Sequence, residues 1–448
     1  MSSESPEVRK SESREVRGLN LLLAFLLAVS MTTAPAARQE WRATALASFD
    51  DVWQTIHDTF YDPTFGGLNW DAVRTELRPK VEAAASPEAA RDVIREMLAR
   101  LKRSHFVLLS AESATDTLPG EAVVPIDVRM GALGLVITRV RPASAAERAG
   151  LHAGDVVLEI DGQTIASWLQ SAQGGDDRAR YLEVWRRAYR ALHGDAGSNA
   201  ALRVRAPDGR ERSIIVTRGA EPGDVVKLGN LPPLHVTMDA REVTSPGGRR
   251  VGVIAFNIWM ATLNDAIAAA VDKYRNDAAL VIDLRGNPGG LAGMITGVAG
   301  HLLAEPKVLG TMQTRAQQLH FAANPRRSTP DGRSVMPFAG PVAILVDEIS
   351  ASASECFAGG LQSLGRARIF GRQTMGQALP ASTKTLVNGD VLMYALGDFV
   401  TSTGKRLEGD GVIPDVSQPL SVAALAAGRD LTLDAALSWI DTRSGGSD

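Results

Sequence analysis

The sequence predicts an α/β protein, preceded by a helical segment and a β-rich unit. Three observations carry this expectation. Val342 to Val346 is an unbroken apolar run, as expected of a strand buried on both faces, and from Ala353 small and apolar residues suit a packed helix. Val251 to Phe256, Asp265 to Tyr274 and Leu280 to Leu284 read as strand, helix and strand, which implies a right-handed parallel crossover. Earlier in the chain, Leu46, Phe49, Trp53, Ile56 and Phe60 recur at three- and four-residue steps, the stripe of an amphipathic helix.

Composition narrows the class. The chain has 448 residues, enough for about three domains at roughly 150 residues each. It is 45% hydrophobic and 22% charged, which is ordinary for a globular protein. A net charge of −3 without a long basic run gives no reason to expect a nucleic-acid partner. The one cysteine, Cys356, excludes an intramolecular disulfide and any zinc-type spacing. It falls four residues after Ser352, on the same helix face, and reads as packing; a catalytic thiol is the alternative, with nothing nearby in sequence to lower its pKa. The seven histidines are scattered and no His-Glu-x-x-His occurs, so no metal and no cofactor is expected.

Residues 1–36 read as a signal peptide. Arg14 and Arg17 precede the apolar run Leu21 to Val29, too short for a bilayer span, and Ala34-Pro35-Ala36 is a small-residue cleavage site. The expectation is export to a periplasmic or extracellular location, with an uncleaved anchor as the alternative. Residues 37–115 form the helical segment. Asp62-Pro63 and Gly66-Gly67 break its first helix, a second starts near Trp70, and a third spans about Pro87 to Leu101 with Val93, Ile94, Met97, Leu98 and Leu101 inward. Ser104-His105 follows directly. By itself such a histidine is a surface or capping residue.

Residues 120–220 are β-rich. Leu133-Gly134-Leu135 leads into an apolar run, and Ala149-Gly150-Leu151-His152-Ala153-Gly154-Asp155 precedes Val156 to Ile160 and Asp161-Gly162. This resembles a PDZ domain. The resemblance implies a peptide C-terminus added to a sheet edge, with its carboxylate on backbone N–H groups around Leu133, Gly134 and Leu135. A β-domain whose groove binds nothing is the alternative. Residues 168–195 read as a polar helical insertion.

Residues 221–420 hold the α/β core, and 421–448 a helical tail. The strand Leu280 to Leu284 ends in Arg285-Gly286-Asn287-Pro288-Gly289-Gly290, whose glycines let backbone N–H groups approach a substrate. No Gly-Lys-Ser/Thr follows, so this is not a nucleotide P-loop. Residues 311–340 read as a surface excursion. After Val346, Ser350, Ser352 and Ser354 occupy the turn into the next helix. A serine at a helix N-terminus is placed where free N–H groups and the dipole favour an oxyanion, but plain N-capping explains such serines equally well.

Taken together, the glycine turn, Ser350-Ala351-Ser352-Ala353-Ser354-Glu355, Gly371-Arg372-Gln373-Thr374-Met375-Gly376 and Leu407 to Asp415 resemble the C-terminal-processing (tail-specific) and tricorn-type serine proteases, in the family's order, over about residues 41–417. The resemblance implies a crotonase-like α/β protease core. It also implies Ser352 as nucleophile and backbone N–H groups of Gly289 and Ala353 as the oxyanion hole. At the base the sequence departs from the tail-specific branch, because Gln377 stands where a lysine is expected. Lys384 lies seven residues on, over roughly 20 Å along a strand, too far to substitute. The tricorn branch uses a Ser-His pair and a late glutamate, and Ser104, His105 and Glu408 are similar to these. His105 would then be the general base, oriented by Ser104 and Glu408. The expected partners are proteins or peptides with free C-termini. The alternatives are a binding protein that keeps the fold without catalysis, and a scaffold that captures tails without cutting them.

Overall fold

The computed structural model describes residues 40–111, 122–172, 177–227, 229 and 233–443. The leader expected at residues 1–36 lies outside the described residues. No helix among those described is long and apolar enough to cross a membrane.

The core is a six-stranded sheet in the order Met238–Thr244, Arg250–Phe256, Ala279–Asp283, Val342–Val346, Arg368–Gly371, Val416–Ser417. The first pair is antiparallel and the others are parallel, with Ile254, Ile282, Ile344 and Ile369 in one row across four strands. Alternate residues point to opposite faces. Ile254, Ile282 and Ile344 pack against the helices Asn264–Lys273, Gly293–Gly300 and Ala353–Ser363, whereas Val253, Val281 and Leu345 pack against Leu431–Arg443. The C-terminal residues are therefore a covering layer of the sheet rather than a tail: Ala436, Leu437 and Ile440 close its second face. The helix Ala353–Ser363 is closed by a glycine. Gly365, at φ +66°, donates to Gln362 O, and Arg366 N reaches back to Leu361 O, a Schellman closure.

The segment 311–340 is largely exposed, as a surface excursion would be, but it opens in paired strands. Lys307–Thr314 pairs with Gln318–Ala323 and with Gly397–Thr401 in a second sheet, and buried Leu309 and Phe399 join it to the core. The hairpin to Gln318–Ala323 is local, but the other partner, Gly397–Thr401, is distant in sequence, so local sequence carries no sign of it.

The N-terminal helices are 40–59, Trp70–Glu82 and Pro87–Ala99, the last begun by Ser86 as N-cap with proline at its start. Phe49, Val52, Ile56, Leu77, Ile94 and Met97 form their shared core. This module is tied to the α/β core by strand pairing of Val107–Leu109 with Val391–Ala395, and by a buried ion pair between Arg91 Nε and Asp390 Oδ2 at 3.0 Å.

The PDZ-like unit is an antiparallel sheet in the order Ile126–Gly131, Gly134–Val140, Val156–Ile160, Asn199–Arg205, Glu211–Thr217. The helix Asp177–Leu192 is a wall of this unit and not an insertion. Its Val184, Ala188 and Leu192 recur every four residues and are buried against the sheet, a stripe masked in the sequence by the surrounding arginines.

Candidate active site

The serine-bearing turn follows the strand Val342–Val346 and is built on Asp347. This buried carboxylate accepts from the N–H groups of Gly286 (2.9 Å), Ile349 (3.0 Å) and Ser350 (3.2 Å), and pairs with Arg129 Nε at 2.7 Å. Burial alone would raise its pKa, but the guanidinium charges of Arg129 and Arg372 override that and bring it down to about 2. Asp347 thus joins the serine-bearing turn, the glycine turn and a strand of the PDZ-like unit.

Of the three serines, two are committed to structure. Ser350 Oγ, fully buried, donates to Leu284 O at 2.7 Å. Ser354 Oγ, also fully buried, donates to Asn287 O at 3.1 Å and accepts from Trp259 Nε1 at 2.9 Å. Ser352 is only half-buried and caps the helix Ala353–Ser363 from a strained backbone, φ +54° and ψ −118°. Such strain persists only where the surroundings enforce it. Here the Ser352 N–H is held by Gln377 O at 2.9 Å and by Glu355 Oε2 at 3.0 Å.

Glu355 is a residue that sequence reasoning misses, although Ser352-x-x-Glu355 is a capping-box spacing that points to it. Its carboxylate is fully buried and accepts from Thr374 Oγ1 (2.5 Å), Gly376 N (2.6 Å), Gln377 N (3.0 Å) and Ser352 N. Burial raises its pKa to about 7 despite these four donors.

Gly289 lies directly against the serine. At φ +108°, an added Cβ would come within 2.6 Å of Ser352 Cβ, so no larger residue fits without a shift. Its N–H, however, donates to Asn287 Oδ1 at 3.0 Å. The turn glycine expected as an oxyanion donor is therefore engaged by an Asx turn, and Gly290 carries the turn's next N–H. Ala353, the first residue of its helix, has no intrahelical acceptor for its N–H.

His105 reaches this region between the helix Pro87–Ala99 and the strand Val107–Leu109, in a left-handed backbone conformation at φ +61°. Its Nδ1 lies 2.8 Å from Ser104 Oγ. Ser104 Oγ gives its proton to Glu408 Oε2 at 2.9 Å, and Ser104 N bonds Glu408 Oε1 at 2.9 Å. A hydroxyl has one proton, so Ser104 must accept from His105 Nδ1–H, which leaves Nε2 as the unprotonated nitrogen. Burial pushes the imidazole pKa down to about 4, so the ring is neutral at neutral pH. Glu408 also accepts from Ala378 N at 3.0 Å, one residue beyond the Gln377 carbonyl that holds Ser352. Of the sequence-selected residues, Glu408 and Ser352 thus bond to one short segment, Gly376 to Ala378; Ser104 and His105 are linked to it through Glu408, and Gly289 and Ala353 lie beside Ser352. Among the described residues no hydrogen bond joins Ser352 Oγ to the imidazole.

Lys384 is taken out of contention, because its Nζ pairs with Asp51 at 2.6 Å. Cys356 is buried in the core, its thiol pKa pushed far upward by burial. Among the described residues no cluster of three or more side chains suits a metal ion.

Leu133, Gly134 and Leu135 are not placed as a carboxylate loop. Gly131 pairs with Gly134 across a tight hairpin, Leu133 is exposed at its tip, and Leu135 pairs with both Met130 and Val157. A strand paired on both edges cannot accept an added peptide strand. The edge strand beside the helix Asp177–Leu192 is Ile126–Gly131, and there Trp185 Nε1 and Arg129 Nη1 donate to Val128 O at 3.1 and 2.9 Å.

Residues 250–418 match the model for Peptidase family S41, residues 38–99 the Tricorn protease C1 domain, and residues 136–186 a PDZ domain. Ser104 and His105 fall between these matches. The chain is 26% identical over 437 residues to the carboxyl-terminal-processing protease of Picosynechococcus sp., covering 94% of this chain and 95% of that one. It is 28% identical over 440 residues to the protein of the same description from Synechocystis sp., covering 94% and 92%. Among solved structures, the photosystem II D1 C-terminal processing protease is similar in fold, with a TM-score of 0.57 and 23% identity over 84% of this chain and 93% of that one. Mature CPAF is similar with a TM-score of 0.61 and 15% identity, over 90% and 99%.

Proposed function

Because the chain belongs to the S41 family of serine peptidases, we propose that it cleaves proteins or peptides near their C-termini, with Ser352 as nucleophile and His105 as the base in place of the tail-specific lysine. The observation that carries this reading is the Glu408–Ser104–His105 relay, which fixes the imidazole tautomer with Nε2 free. In the acylation step Ser352 Oγ attacks the scissile carbonyl and His105 Nε2 takes its proton. The oxyanion is met by the Ala353 N–H at the helix N-terminus and by the glycine turn. Collapse of the tetrahedral intermediate breaks the C–N bond, and the imidazolium returns its proton to the leaving amine. Water then repeats the sequence on the acyl-enzyme. Ser104 and Glu408 hold the ring and favour its charged form in passing. Tail capture by the PDZ-like unit would use the Ile126–Gly131 edge, where a peptide has to displace Trp185 and Arg129 from the Val128 carbonyl.

The test is cleavage of unfolded proteins and tailed peptides by purified variants. Ser352→Ala and His105→Ala should each remove nearly all turnover, and the double variant should be little worse, because the two act as one unit. Full activity in His105→Ala sinks the assignment, and a wild type that cleaves nothing favours the binding alternative. Export is part of the same proposal, motivated by the short apolar run and Ala34-Pro35-Ala36. N-terminal sequencing of exported protein should begin near Ala37, and an intact Met1 on membrane-bound protein would overturn cleavage.

A further inference from the structure

Arg178, Leu182 and Arg186 lie at four-residue steps and so share one face of the helix Asp177–Leu192. That face is laid along the active site. Arg178 bonds the carbonyl of Thr374, with those of Gly409 and Asp410 at 3.3 and 3.4 Å. Leu182 packs in one cluster with Ile349, Ala351 and Met375. One turn on, Arg186 Nη2 reaches Gln377 Oε1 at 3.5 Å and Met375 Sδ at 3.7 Å.

These two distances are long for hydrogen bonds, and both acceptors are uncharged. A guanidinium carries five donors, and among the described residues no carboxylate pairs with Arg186. Glu183, on the preceding turn, is bridged to Arg187 instead. Partial burial and the neighbouring Arg190 lower the Arg186 pKa, with Glu183 opposing, so its surroundings do not balance its charge. Its neighbour Gln377 is the residue whose carbonyl holds the Ser352 N–H. The guanidinium is therefore within reach of roughly three to four residues of extended peptide from the serine. A planar fork with unused donors, solvent-reachable and fixed by the anchored turns before it, is matched by a carboxylate.

We propose that Arg186 is a specificity determinant that binds a carboxylate of the substrate within a few residues of the scissile bond. The carboxylate is either the chain's own C-terminus or an Asp/Glu side chain. The proposal rests on the peptidase reading of Ser352, and it gives the PDZ-like unit a role in recognition that does not use the Ile126–Gly131 edge.

The experiment measures peptide binding by calorimetry on the full-length Ser352→Ala protein, so that it does not depend on turnover. Two matched peptide pairs are compared: free acid against C-terminal amide, and Glu against Gln at an internal position. One pair should show roughly tenfold to a hundredfold tighter binding of the carboxylate form, the range of a charge-assisted hydrogen bond. The pair that responds identifies the source. Adding Arg186→Gln should collapse that gap, and Arg186→Lys, which keeps the charge and loses the fork, should retain part of it. Thermal unfolding should be unchanged in both variants, since the guanidinium holds Gln377 and Met375 only weakly. A gap that survives Arg186→Gln, or no gap in either pair, overturns the proposal. Failure of the peptidase reading shows separately, as an absence of cleavage by the wild type.

Discussion

At the scale of single residues, two titratable groups, the half-buried His105 and the fully buried Glu355, set the expected pH dependence. In the proposed role His105 acts as a base in its neutral form, and burial holds its pKa at about 4. Its protonation should therefore end turnover only as pH falls through about 4, not through the 6–7 expected of an ordinary histidine. Glu355 acts at higher pH. Ionised, its two oxygens accept four hydrogen bonds, one of them from Ser352. Protonated, it has one acceptor site fewer, and one of those donors lets go unless the Thr374 hydroxyl reverses to accept the new proton. With its pKa raised to about 7, turnover should fall to a lower plateau as pH drops through 7 and vanish near 4. The sign for stability is opposite. The folded state holds this proton more tightly than the unfolded state, so its contribution is most favourable below pH 4.5. It is lost as pH rises through 7, by on the order of 3 kcal/mol. The ionised form that locks the serine is thus the form that costs stability. A pH–rate profile of the wild type and of Glu355→Gln checks this. The variant should lose the limb near 7 and show a low kcat at all pH values with little change in KM. A single limb at 6–7 that persists in Glu355→Gln would mean that His105 titrates normally and that Glu355 does not position the serine.

At the scale of elements, legibility follows the range of the interactions. The strands Arg250–Phe256, Ala279–Asp283 and Val342–Val346 are readable because burial on both faces leaves continuous apolar runs. The helix Ala353–Ser363 is readable because its cap and its closing Gly365 are local. Choosing among Ser350, Ser352 and Ser354 is different. Only the partners brought in by Leu284, Asn287 and Trp259 distinguish structural hydroxyls from an open one, and those residues are more than 60 positions away. The carboxylate loop is misplaced in the sequence for a related reason. Leu133-Gly134-Leu135 has the right residue types, but whether a strand is an edge is a property of the whole sheet order. The helix Asp177–Leu192 reads as an insertion because arginines dominate it. Its buried Val184, Ala188 and Leu192 make it a wall of one unit, and its Arg178 and Leu182 make it a neighbour of the candidate site. Gln377 in place of lysine, by contrast, is directly legible and points to His105, whose setting is explained by Ser104 and Glu408.

At the scale of the whole molecule, the candidate site is assembled from two pieces that must stay docked. Ser352, Glu355 and Glu408 belong to the α/β core, whereas Ser104 and His105 arrive from the N-terminal module. Among the described residues two ion pairs join the module to the core, and they differ in kind. Arg91–Asp390 is buried, with Asp390 fully enclosed and also bonded by the N–H of Ala111 at 2.9 Å. Lys384–Asp51 is about two-fifths exposed on the lysine side, at 41%, and well screened. Breaking a buried pair by removing one partner leaves a charge in low dielectric and costs about 3–5 kcal/mol, whereas an exposed pair contributes about 0–1 kcal/mol. Arg91→Met should therefore destabilise the protein markedly and lower kcat more than KM, because His105 lies just beyond the helix that carries Arg91. Lys384→Ala should leave both stability and turnover largely intact. Thermal unfolding and peptide-cleavage kinetics on the two variants check this together. Loss of turnover in Lys384→Ala would return the lysine to the role of base, and an Arg91→Met protein with unchanged kcat would mean that His105 is held in place without the docked module.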